Sequence, residues 1–269
     1  MKRRVIIFST ILAIISLLVV SFTNSNTTNI DEAKSSDSNM FALESKNIKR
    51  VTNKIPDLYY GVDTRFAAIK KSDVHNATTI YDFLNEGEKK QIAHINAVEL
   101  IIVENNQLSE KRAYGENEYL TDAQIKLLKA TEYFSHFTIR TEFKATNNET
   151  GKLEERFFGP HITVVPNKQA AYINGENALI KYLKDNSKED MHVIKGDKLG
   201  AIKISFTITK EGIVSNVKHD AMTTGYPSID KKLIQLIKNI PGQWTPAENT
   251  RGEKMDQELV FTFGPKNGC

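Results

Sequence analysis

His75, His94, His136 and His161 are side chains suited to acid–base work or metal binding, because an imidazole titrates near neutral pH and its ring nitrogens ligate metals. Their spacing gives neither chemistry a home. There is no HExxH, no GxSxG, no P-loop and no GxGxxG. His136 and His161 each sit beside strand-like runs, where a histidine serves as a hydrogen-bonded or surface group. The run Glu86-Gly87-Glu88-Lys89-Lys90 reads as a solvated face. The single cysteine, Cys269, excludes an internal disulfide and a Cys-based metal site. Intermolecular pairing is the chemistry open to an exposed thiol there, in an oxidising compartment. A formal net charge of +3 over 269 residues gives no field that would favour nucleic acid. These residues predict a non-enzymatic protein with no catalytic constellation, no cofactor, no metal and no nucleic-acid partner. An enzyme would need a deep pocket in the middle of the chain where histidines and carboxylates converge.

The elements must then position something other than a catalytic group. Met1-Lys2-Arg3-Arg4 is a positive cluster, followed by the uncharged apolar run Val5 to Phe22. At ~1.5 Å per residue the run reaches ~27 Å, close to the thickness of a hydrocarbon core. It predicts an N-terminal signal anchor or transmembrane helix over 1–22, with the N-terminus cytoplasmic and the bulk of the chain periplasmic. A cleaved signal peptide is the rival reading. Residues 23–56 are polar and lack a sustained apolar period, so they predict a flexible tether.

Residues 57–170 predict a separate α+β domain. Val98 to Val103 is a short apolar run, as in a buried strand. Thr121 and Gln124 have the spacing of a capping box, and Ile125, Leu128 and Tyr133 continue an apolar stripe. Phe137, Ile139, Thr141 and Phe143 alternate with polar residues. Leu153–Phe158 and His161–Val165 predict two further strands, separated by Gly159-Pro160.

Residues 171–269 predict a second domain, a two-layer α-β-β-α-β unit with an antiparallel sheet. Ala178, Leu179, Tyr182 and Leu183 share a helix face. Ile202, Ile204, Phe206 and Ile208 alternate with Lys203, Ser205, Thr207 and Thr209, so one face is covered and one is wet. Lys210-Glu211-Gly212 is a hairpin turn, Ile213, Ser215 and Val217 begin the return strand, and Asp220 to Gly225 is a loop. Pro227 suits the first helical turn and Asp230 the helix N-terminus. Ile229, Leu233, Leu236, Ile237 and Ile240 form a stripe that Pro241-Gly242 ends. Leu259, Phe261 and Phe263 alternate inward on a last strand, Glu258 to Phe263. The only tryptophan, Trp244, stands at the helix-to-strand corner, where its ring would plug the core.

The ordered series Gly200, Phe206, Gly212, Gly225, Asp230, Trp244 and Pro246, ending in Glu258-Leu259-Val260-Phe261-Thr262-Phe263, resembles the C-terminal domain of the TonB family over about the last third of the chain. The resemblance implies an energy transducer, anchored in the inner membrane through residues 5–22. Its expected partners are segments of outer-membrane TonB-dependent transporters and an inner-membrane proton-driven motor complex. It implies docking by β-strand addition, with Glu258, Leu259, Val260, Phe261, Thr262 and Phe263 as the open edge. Three features depart from the family layout. Only Pro56 stands in place of a Pro-rich spacer, Val5 to Phe22 has no histidine, and residues 57–170 are extra. These features leave open a non-energising envelope scaffold that uses the same docking domain.

Overall fold

The computed structural model describes residues 56–147, 149–195 and 198–266. The expected anchor at 1–22, nearly all of the tether at 23–56, and Cys269 lie outside them. Among the described residues no helix is long and apolar enough to cross a membrane. The fold is α+β, and sheets dominate it.

In chain order the first elements are β1 (Leu58–Asp63), β2 (Ala67–Lys70), α1 (Lys71–Asn76), α2 (Glu86–Gln91), β3 (His94–Glu104) and β4 (Gln107–Gly115). Next come α3 (Asp122–Lys129), β5 (His136–Thr146), β6 (Leu153–Phe158), β7 (His161–Val165) and the short β8 (Ala171–Tyr172). The C-terminal part has α4 (Glu176–Ser187), β9 (Ile202–Ile208), β10 (Val214–Ala221) and α5 (Pro227–Lys238). Three short strands, β11 (Trp244–Thr245), β12 (Ala247–Glu248) and β13 (Lys254–Met255), lead to β14 (Gln257–Pro265).

The C-terminal elements form a four-stranded sheet in the order β1-β14-β9-β10. Leu179 and Leu183 from α4 and Ile229, Leu233 and Ile237 from α5 pack on Ile202, Ile204, Phe206, Leu259, Phe261 and Phe263. The predicted inward residues are therefore all in one core. The predicted wet face is only partly wet. Ser205 is fully buried, because this side of the sheet is crossed by the segment that follows β1. The return strand also differs from expectation. Ile213 is exposed in the turn, and β10 continues through Asp220 to Ala221.

The residues that carry the resemblance are structural. Gly212 has φ +79°, and a Cβ there would stand 2.2 Å from the Trp244 carbonyl oxygen. The Trp244 amide donates to the Gly212 carbonyl at 3.2 Å. Only glycine lets the hairpin approach the tryptophan backbone this closely. Trp244 itself packs on Tyr172 and Phe206, with ring centroids at 5.4 and 6.0 Å. Gly200 is crowded in the same way by the Thr223 carbonyl, 2.5 Å from where a Cβ would lie. Asp230 does more than favour a helix dipole. Its carboxylate accepts from the Thr224 amide at 3.1 Å and from the Thr224 hydroxyl at 2.6 Å, tying the preceding turn to α5.

The other sheet has the order β2-β7-β5-β3-β4, with β6 also on β5. Val98, Leu100, Phe137, Ile139, Phe143, Leu128 and Val164 lie in its core. The predicted capping box is present: the Thr121 amide donates to Gln124 Oε1 at 2.9 Å. The helix ends at Lys129, short of Tyr133, where the Thr131 hydroxyl donates to the Leu128 carbonyl at 2.7 Å and closes the last turn. β6 and β7 continue one register along β5, from Thr146↔Leu153 to His136↔Thr163, interrupted at Gly159-Pro160.

Both sheets contain the same connectivity. In one, β3 and β4 form a hairpin, α3 follows, and β5 returns antiparallel to β3. In the other, β9, β10, α5 and β14 do the same. The expected boundary at 170/171 separates these two units except at two places: Lys168 to Ala170 already bond to C-terminal strands, and one strand crosses over. β1, expected in the first domain, belongs to the C-terminal sheet.

The corner packing predicts two costs. Trp244→Ala should lower the unfolding free energy by about 3–5 kcal/mol. Gly212→Ala should lower it by at least about 1–2 kcal/mol, from the positive φ alone. Urea titration followed by circular dichroism checks both; losses below about 0.5 kcal/mol would show that this corner does not hold the domain.

Candidate functional site

The expected docking strand is largely buried in the C-terminal sheet. Phe261 and Phe263 are fully buried, and Leu259 and Val260 nearly so, whereas Glu258 and Thr262 are half-buried. Its inner edge pairs with β9 from Gln257↔Ile208 to Phe263↔Ile202. The expectation of an open outer edge is corrected by the topology. Leu58–Asp63 runs antiparallel along it, from Leu58↔Pro265 to Asp63↔Val260, with no register shift. The pairing extends one step further, where the Lys266 amide donates to the Asp57 carbonyl at 2.8 Å. Beyond Asp63 the strand is tied through a side chain to the segment that precedes β8. Gln257 Oε1 accepts from the Ala170 amide at 2.7 Å, and its Nε2 donates to Gln169 Oε1 at 3.1 Å. A sheet edge left unpaired invites association with other chains, and here the chain itself supplies the missing strand.

β1 is fastened at its middle. Tyr60 packs edge-on against Phe263, with ring centroids at 4.9 Å, and lies 6.2 Å from the Phe261 ring. Its hydroxyl is 2.9 Å from Ser187 Oγ at the end of α4, and burial pushes the phenol up from its ordinary range. The next residues form a clamp. Arg65 donates through Nη1 and Nη2 to the Asp220 carboxylate at 2.8 and 3.0 Å. Its Nε and Nη2 donate to Glu258 Oε1 at 3.1 and 2.7 Å. One guanidinium thereby ties β10 to β14 across β9. Burial opposes its charge, but these hydrogen bonds outweigh burial and raise its pKa further.

The same loop reaches the other sheet. The Phe66 ring lies 5.2 Å from the His136 ring and 5.0 Å from His161. The Phe66 amide donates to Thr163 Oγ1, which is 3.1 Å from His136 Nδ1. Two of the four candidate histidines thus come together as packing partners of one aromatic ring. His75 in α1 and His94 at the start of β3 stand apart from them. A cavity of about 190 Å³ at this junction is lined by Arg65, Phe134, His136, Thr163 and Glu258. Both acidic groups near it are already bound to Arg65, so the junction offers no free carboxylate base. Burial first, then the nearby Arg65 charge, hold the His136 imidazole below the usual histidine range. Among the described residues no group of three or more His, Cys, Asp or Glu is placed to hold a metal ion.

The two edges of the C-terminal sheet differ. β10 carries register shifts between Ser215 and Lys218 and between His219 and Ala221, and Asn216 has φ +49°. Such irregularities blunt an edge. β1 is regular. Where it ends, a groove of about 260 Å³ opens between Val62, Asp63, Tyr172, Leu179, Trp244 and Leu259. Sequence reasoning missed β1, Tyr60 and Arg65, since nothing local in Leu58-Tyr59-Tyr60-Gly61-Val62-Asp63 names a strand partner about two hundred residues away.

Scans against protein-family models, curated proteins and solved structures found no match to this chain.

Two outcomes follow. Arg65→Ala leaves Asp220 with its partner removed and should cost about 3 kcal/mol; a loss within error of wild type in urea titration would mean that the clamp holds nothing. The folded His136 pKa lies below its unfolded value, so the native state binds fewer protons between the two. Its contribution is fully present above about pH 6.5 and is lost as pH falls from there. The unfolding midpoint should therefore drop between about pH 7 and about pH 5.5, and His136→Asn should flatten that drop; an unchanged slope would contradict the assignment.

Proposed function

We propose that this chain is a TonB-type envelope protein, anchored through residues 5–22, that docks segments of outer-membrane transporters by β-strand addition to support energy-dependent transport. The observation that carries the reading is the outer edge of β14. It already holds an extended six-residue segment in unbroken antiparallel register, which is the geometry that strand addition requires. The role of the family's positions supports it too, since Gly200, Gly212, Asp230 and Trp244 build the unit that presents this strand.

Docking at β14 then means exchange. An incoming segment must replace Leu58–Asp63, and a tethered competitor acts at an effective concentration of order millimolar. The partner strand must pair better than β1, or β1 must be loosened first. β1 is the first described strand after the stretch that the sequence assigns to the tether and anchor. Tension along that stretch would act on β1 before any other strand.

A second reading is favoured by the additional sheet. A non-energising envelope scaffold would keep β1 in place and use the β2–β7 unit for its partner.

A reversible lock separates the two. Asp63 and Val260 are directly opposite, and opposed residues of an antiparallel pair lie about 4.5–5.5 Å apart at Cα, within disulfide reach. In full-length protein carrying Cys269→Ser, the pair Asp63→Cys and Val260→Cys should abolish capture of outer-membrane transporters from envelope extract when oxidised and restore it when reduced. Equal capture in both states would reject docking at this edge. No transporter captured by the wild type would reject the transducer reading and leave the scaffold.

A further inference from the structure

The strand opposite β5 is covered unevenly on its outer side. β2 pairs with β7 from Ala67↔Ile162 to Lys70↔Val165. β6 pairs with β5 alone, so among the described residues the outer edge of Leu153–Phe158 has no partner strand. Its residues Glu154, Glu155 and Arg156 are charged, but two large apolar side chains stand among them. Leu153 is 59% exposed and Phe157 60% exposed, on a strand whose side chains are almost all in solvent. Exposed apolar side chains on an open, regular edge are what natural sheets avoid unless the edge is used.

The pattern of this edge names its occupant. Leu153, Glu155 and Phe157 share one face of the strand, and Glu154 and Arg156 share the other, since side chains alternate. Suppose that a second copy approaches antiparallel, about a two-fold axis perpendicular to the sheet and midway between the two Glu155 residues. Leu153 then faces Phe157 of the copy, and Phe157 faces its Leu153. Glu154 faces Arg156, and Arg156 faces Glu154. Leu153, Glu154, Arg156 and Phe157 each meet a complement, twice over by symmetry, as an isologous contact demands. Arg156 and Glu154 already lie on one face, 3.4 Å apart at Nη2 and Oε2, and are half exposed. The one like-charged pair, Glu155 with itself on the axis, is offset within each chain. Asn96 Nδ2 donates to Glu155 Oε2 at 2.6 Å, and Lys144 Nζ stands 3.6 Å from Glu155 Oε1. Any other in-face register loses complements. Moving the axis to Arg156 sets Arg156 against itself and Glu155 against Phe157.

We infer that the Leu153–Phe158 edge pairs with the same edge of a second copy of this chain, joining the two six-stranded sheets through a Leu-Glu-Glu-Arg-Phe self-complement centred on Glu155. One strand pair with four side-chain contacts is a small interface, so the association is weak and dependent on concentration. It leaves β14 and β1 of each copy untouched, and so gives a bivalent molecule whose two docking strands act together.

The test uses the full chain in mild detergent with Cys269→Ser. Glu155→Cys places two thiols opposite each other on the axis and should give an oxidised dimer. Glu154→Cys faces Arg156 instead, and its dimer yield should be at least about tenfold lower, as only the axial pair meets disulfide geometry. On the natural Glu155 background, Arg156→Glu should shift sedimentation to the monomer, and Arg156→Glu combined with Glu154→Arg should restore the dimer. All of these positions are exposed, so each variant should keep the wild-type unfolding midpoint. Equal cross-linking at 154 and 155, no dimer from Glu155→Cys at the highest attainable concentration, or failure of the charge swap to restore association would each overturn the inference.

Discussion

The outer edge of β14 sets the organisation of this chain. Its amides and carbonyls need partners, and a buried unpaired group costs about 1–3 kcal/mol. Leu58–Asp63 supplies them from the far end of the described residues. Once β1 is paired, the next residues have little choice. Arg65 is delivered to Asp220 and Glu258, and Phe66 to His136 and His161. The junction between the two sheets is thus a consequence of closing one edge.

The two β-β-α-β units solve that edge problem by the same means and to different extents. In each, the last strand pairs with the first and needs cover on its other side. β14 receives β1, and β5 receives the long broken strand of β6 and β7. The first cover comes from outside the unit and leaves no ladder position of Val260–Pro265 open. The second brings an open edge of its own. A molecule built this way has one edge filled by a segment that could be exchanged and another that is simply exposed. Those are different devices, and strand exchange and self-pairing act on separate sheets.

Local patterns were readable from the residues alone, and distant pairings were not. The alternation of Ile202 to Ile208, the stripe of α5 and the Thr121–Gln124 box all appear as predicted, since each depends on neighbours within a few positions. Trp244 stands in the core for the reason foreseen, its ring being the largest available at an open corner. The repeat of the unit was hidden because its turns use different chemistry. The first hairpin turns on Asn105 and Asn106, both with positive φ, and the second on Gly212. Asparagine tolerates that conformation and glycine prefers it, and the two loops differ in length as well, two residues against five. The site was half legible. Leu259, Phe261 and Phe263 point inward as expected, but an edge is a property of what lies beside a strand, and six residues containing a glycine gave no sign of where they would pair.

Strand exchange at β14 requires that β1 give way. Hydrogen exchange on the full chain measures this directly, with and without a saturating peptide from the periplasmic end of an outer-membrane transporter. The free chain should protect the amides of Leu58–Asp63 that face β14 and those of Val260–Gly264. With peptide bound, those amides of Leu58–Asp63 should become fast-exchanging while Val260–Gly264 stays protected. Continued protection of Leu58–Asp63 in the bound state would contradict strand exchange at β14 and leave this edge a structural closure.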